Sequence, residues 1–142
     1  MTDFNLADMN DTDAFRFLHC ISIQRKRDVL ADAISALNRK HPNARAIAAA
    51  VVGTYGSEAR GAVPQLRQLL GDADPLVRKE SVIALGKIGV AAAESLSDLR
   101  AAQVDEFEVV RMSANEAVQS IIQKVATARS DLKMLGSVED LI

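Results

Sequence analysis

The chain has 142 residues, about half of them apolar but only 4% aromatic and none tryptophan, so one domain cored by Ala, Leu, Val and Ile is expected. Seventeen basic against nineteen acidic residues leave a net charge of −2, which removes the broad electrostatic case for a nucleic-acid or anionic-membrane binder. The single cysteine, Cys20, excludes an internal disulfide, and no apolar run approaches membrane-spanning length, so a soluble cytoplasmic protein is the expectation.

Residues 1–10 are polar with isolated Phe4, Leu6 and Met9, and read as a loose arm. Asp11, Thr12 and Asp13 offer caps for a first helix whose Phe15, Leu18 and Ile21 or Ile23 supply an apolar face, as an end cap would. A second helix is expected from about Arg25 to Lys40, with Val29, Leu30, Ala33, Ile34 and Leu37 spaced by three and four. His41-Pro42 opens a third, which runs to Gly56.

The stretch Gly71 to Gly89 carries its own punctuation: Asp74 to cap the free amides, Pro75 at the first helical position, Gly89 to end the helix. Val77, Ser81, Ala84, Leu85 and Ile88 form one stripe, so this helix is built to pack. The same design recurs at a period of 33. Arg45, Arg78 and Arg111 fall in register, as do Ala48, Ser81 and Ala114, then Val52, Leu85 and Val118, then Tyr55, Ile88 and Ile121. In the preceding helices Val63 matches Leu96, Leu66 matches Leu99, and Asp72 matches Asp105. A helix pair of this size cannot bury its faces alone, so neighbouring pairs must stack and continue one core. In the third repeat Ile122 replaces the closing glycine, and the helix is expected to run to about Ala128. A last helix from Ser130 to Leu135 would then lie over the open end with Leu132 and Leu135 facing in. Gly136 and Ser137 are expected to release a tail, which gives an arm at 1–10, one helical domain at 11–136 and a tail at 137–142.

Asp72, Asp74, Val77 and Arg78, followed by Ala84-Leu85-Gly86 and Ile88-Gly89, resemble short HEAT repeats of the kind also called PBS-lyase HEAT-like. The resemblance covers roughly Arg25 to Gln123. It implies an all-α fold, a short right-handed α-solenoid of stacked antiparallel helix pairs whose second helices line a concave surface. It also implies a structural ladder in which Arg78 and Arg111 pair with the loop aspartates Asp72 and Asp105. Arg39 stands where the first repeat should hold its aspartate, so Arg45 is the member expected to be free for an anion or carboxylate.

The columns that the second helices turn away from their packed stripe are Ala46, Lys79 and Met112, then Ala50, Ile83 and Glu116, then Thr54, Lys87 and Ser120. Ile83, expected to face solvent, would with Ala46, Ala50 and Met112 make an apolar groove rimmed by Lys79 and Lys87, suited to a helix or extended peptide. A non-catalytic protein-binding scaffold follows, with another protein as partner. The resemblance to phycobilisome lyases gives a bilin accessory role as the alternative, against which stand the small size and scarce aromatics. A nucleic-acid role ranks third, because the concave columns are mixed in charge and lack stacking platforms. Enzymatic chemistry has no anchor: His19 and Cys20 are adjacent and point about 100° apart on a helix, and His41 lies at a helix start. No spacing suggests a metal or cofactor site, and Gly53 and Gly86 sit inside helices where a missing side chain permits close packing.

Overall fold

A computed structural model describes residues 26–139 of the chain. The first helix expected from the sequence, with Phe15 and Phe17, His19 and Cys20, lies outside them. Six α-helices are described: α1 Lys26–Ala36, α2 Pro42–Thr54, α3 Val63–Leu69, α4 Pro75–Ile88, α5 Leu96–Ala102 and α6 Glu108–Glu139. Turns of 3-10 helix, Gly56–Ala62 and Gly89–Ser95, lead directly into α3 and α5. Paired as α1 with α2, α3 with α4 and α5 with α6, they make three units of one all-α stack.

Local chemistry sets the helix ends. The Asp74 carboxylate accepts the Leu76 amide at 2.8 Å and Pro75 fills the first position of α4, so orphan donors are either satisfied or absent. His41 precedes Pro42 in extended conformation, as the proline ring requires, and α1 closes four residues earlier than expected through tight bonds such as Arg39 N–H to the Ala36 carbonyl. The chain leaves α2 and α4 through Gly56 at φ 56° and Gly89 at φ 79°, where an L side chain is strained. The third unit has Ile122 at this position, and the helix continues.

The sequence expects a break between Ala128 and Ser130, and there is none. Thr127 and Ser130, rather than capping a new helix, turn their hydroxyls back onto the Gln123 and Ala126 carbonyls at 3.0 and 3.2 Å, and no proline intervenes. Leu132, expected to face inward, is 67% exposed, and helical backbone passes through Gly136 to Glu139.

The core consists of the aligned columns. Val77, Ser81, Ala84, Leu85 and Ile88 are all buried, as are Ala48 and Ala114, Val52 and Val118, and Leu66 and Leu99. Ser81 is tolerated there because its hydroxyl donates to the Val77 carbonyl at 2.7 Å. Val29, Ala33 and Leu37 extend the core into the first unit, with Leu30 and Ile34 packed against it.

The second helices stack most closely, α2 on α4 and α4 on α6. Glycine permits this approach. A Cβ at Gly53 would lie 2.9 Å from the Ala84 Cα, and one at Gly86 3.0 Å from the Ala117 Cβ. In the third unit the equivalent residue is Gln119, exposed on α6, so another helix cannot come as close there.

Candidate functional site

Two features deserve a functional reading: the arginine ladder and the outer face of the second helices. Each arginine of the ladder begins from its own loop. Arg45 donates through Nη1 to the Arg39 and Lys40 carbonyls at 2.9 and 2.8 Å, and Arg78 likewise to the Asp72 and Ala73 carbonyls at 2.8 and 3.2 Å. The remaining edge of the Arg45 and Arg78 guanidiniums meets a carboxylate from the following repeat. Arg45 holds Asp72 through Nε and Nη2 at 2.9 and 3.1 Å, and Arg78 holds Asp105 at 2.8 and 3.2 Å. Such forked pairs fix geometry as well as charge.

This corrects the expectation for Arg45. The ladder runs forward by 27 residues to the next loop, not back by six within its own, so Arg39 is irrelevant to the pairing and Arg45 is fully engaged. Position 27 beyond Arg111 is Val138, which has no carboxylate and stands about 40 Å along the same helix at 1.5 Å per residue. Arg111 keeps its Nη1 bond to the Asp105 carbonyl at 2.7 Å and, among the described residues, has no carboxylate. The unmatched arginine is therefore the last of the three.

The electrostatics follow from these contacts. Burial pushes the Asp72 carboxyl up, but bonds from Arg45 and the Asp74 amide, with the charges of Arg45 and Arg78, outweigh it and hold its pKa below the ordinary value. The hydrogen bond from Arg78 lowers Asp105 against burial, helped by the Phe107 amide and by Arg78 and Arg111. Arg78 is raised in turn, chiefly by its bond to Asp105, and the Phe107 ring centroid lies 5.6 Å from its guanidinium. A further link, Arg67 Nε to Asp98 at 2.7 Å, joins α3 to α5; spacing alone did not single it out, although Arg100 and Asp131 stand 33 residues beyond its two partners.

On the outer face, Ile83, Lys87 and Glu116 come together with Ser120 and Lys124 around a shallow groove of about 200 Å³ between α4 and α6. Gly86 and Ala117 form its floor, and their close contact sets its depth. Ile83 is half-buried rather than solvent-facing, because the approach of α6 covers one side of it. Lys87 and Glu116 are exposed on opposite sides. The remaining expected residues do not line this groove. Ala46 is 2% exposed and belongs to the core, Ala50 is half-buried on α2, Lys79 lies 3.6 Å from Glu80, and Met112 is 56% exposed nearer the start of α6. Lys124 was missed. It has no counterpart in the other repeats, and its ammonium donates to the Gly86 carbonyl at 3.2 Å, closing the end of α4 from the next unit.

His41 makes no side-chain capping bond at the start of α2. Among the described residues, no three His, Cys, Asp or Glu side chains cluster as metal ligands, and no helix is long and apolar enough to cross a membrane.

Comparison with protein families gives a match to the HEAT repeat model over residues 24–119, about two thirds of the chain. Comparison with curated proteins gives no match.

Proposed function

The chain belongs to the HEAT repeat family, and from that premise we propose that it is a non-catalytic scaffold whose α4–α6 groove holds a peptide or helix of another protein on the concave side of the stack. HEAT repeats generally mediate protein–protein interaction, and stacked repeats offer a surface that needs little reordering on binding. The observation that carries the reading is the half-buried Ile83 beside Lys87 and Glu116, an apolar contact flanked by charges of both signs. Such a groove takes an apolar anchor residue at its centre and orients the partner through its charged rim.

Affinity capture with the native chain, Ile83→Asp and Lys87→Glu as baits tests it, with circular dichroism verifying that each variant stays folded. Partners retained by the native chain and lost by both variants support the groove. Partners retained equally by all three remove it.

A further inference from the structure

The last unit repeats a binding device whose ligand the first two units display. Arg45 and Arg78 each turn Nη1 onto carbonyls of their own loop and offer Nε and Nη2 to an aspartate. In both cases that aspartate stands three residues before a helix, and its Oδ1 accepts the amide two residues on. The Asp74 N–H serves Asp72 and the Phe107 N–H serves Asp105, each at 2.9 Å. Arg111 makes the first half of the same arrangement, its Nη1 donating to the Asp105 carbonyl at 2.7 Å, and no carboxylate among the described residues meets its other edge. The guanidinium is thus oriented before a ligand arrives, and half-buried, so a carboxylate gains more from it than from an arginine free in water.

Exposure marks the same end. Gly53 and Gly86 meet alanines of the next unit, and Ala46 and Ala49, on the Gly53 face of α2, are 2% and 0% exposed. Their counterparts on α6, Met112, Asn115 and Gln119, are all exposed. Asn115 and Gln119 present amides in the middle of the face, whereas Met112 leaves an apolar contact next to Arg111. A partner therefore engages the first turns of α6 without lying along the whole helix.

The occupied pairs specify the occupant, an aspartate held in its own turn just before a helix. A second copy stacked end to end does not supply it: its first loop has Arg39 in the ladder position, and its Asp72 and Asp105 are already held. We propose that Arg111 receives such an aspartate from another protein, gripped through Nε and Nη2 as Asp72 and Asp105 are, with an apolar side chain of that partner on Met112. At about 100° per residue Arg111 stands on roughly the opposite side of α6 from Glu116 and Ser120, so this site is separate from the α4–α6 groove and does not depend on that groove's function.

The test titrates the full-length chain with a blocked hexapeptide, Asp-Ala-Ser-Pro-Leu-Val, and follows the Arg111 Nε–H resonance. This is the sequence of residues 72–77 with its second aspartate replaced by serine, so that one carboxylate remains. The resonance should move saturably, and the counterpart peptide beginning with asparagine should bind about tenfold more weakly. Arg111→Lys keeps the charge and loses the fork, and should weaken the aspartate peptide to a similar extent while circular dichroism stays native. An unmoved resonance overturns the proposal, as does equal affinity for the asparagine peptide or for acetate. So does a shift that grows with protein concentration alone, which would assign the site to a second copy.

Discussion

Arg78 and Arg111 occupy the same position in consecutive repeats and make the same first contact, to the carbonyl of the loop aspartate six residues earlier. Of the two, only Arg78 receives a carboxylate from a following repeat among the described residues. Around Arg78, Gly86 lets the next helix approach to near contact and Gly89 turns the chain away. Around Arg111, Gln119 and Ile122 stand at those positions, and a single helix runs on to Glu139. A stack of like units thus encodes its own end by altering the residues that join, while those that fill the core, such as Leu85 and Val118, stay apolar.

The strongest way to break this comparison is Gly86→Leu. Its side chain would enter the backbone of Ala117, and urea unfolding should register a loss of about 3 kcal/mol, whereas Gln119→Leu on the exposed side of α6 should stay within about 0.5 kcal/mol. Equal effects would mean that α4 and α6 are not held by close packing at this point.

A smaller contrast is expected along the ladder. Both partners of the Arg78–Asp105 pair are 12% exposed, so Asp105→Ala should cost about 2 kcal/mol, between the values for surface and buried pairs. Arg111→Ala should cost less, about 1 kcal/mol, since it removes one bond to a carbonyl and no ion pair among the described residues. A large loss at Arg111 would reveal a carboxylate partner in the folded chain.

Acid should sharpen the same contrast. Asp72 and Asp105 have folded pKa values below their ordinary ones, so they favour the folded state fully above about pH 4 and lose that contribution as pH falls through the lower folded values. The native chain and Arg111→Ala should therefore both lose stability on acidification, the variant slightly less because the Arg111 charge helps to lower Asp105. The double variant Asp72→Asn with Asp105→Asn should show a shallower loss in thermal melts between about pH 5 and pH 2, and an unchanged slope would place the acid-sensitive groups elsewhere.

Much of the fold was legible because stacking imposes a period on the residues that do it. The columns through Ala48, Val52 and Tyr55, the Asp74 cap, and the glycines at 56 and 89 needed only spacing and residue chemistry to be placed. Spacing failed where a contact is made between repeats. Arg45 lies six residues from Arg39 and 27 from Asp72, and nothing in the chain order says which of the two distances the fold closes. The groove was partly legible for the same reason: Ile83 and Lys87 share a helix face, but Lys124 reaches it from another unit, and Ala46 was lost to the core.

The sequence alone determined that the chain is a stack of helix pairs, which residues fill it, and that its third repeat differs from the others, because helical period and turn chemistry are local. Tertiary structure alone decided the direction in which the arginines pair, the half-burial of Ile83, and the single continuous α6. The first two depend on how near two units lie, a distance set by the glycine-to-alanine contacts between helices distant in sequence, and the third on Thr127 and Ser130 turning their hydroxyls back within the helix.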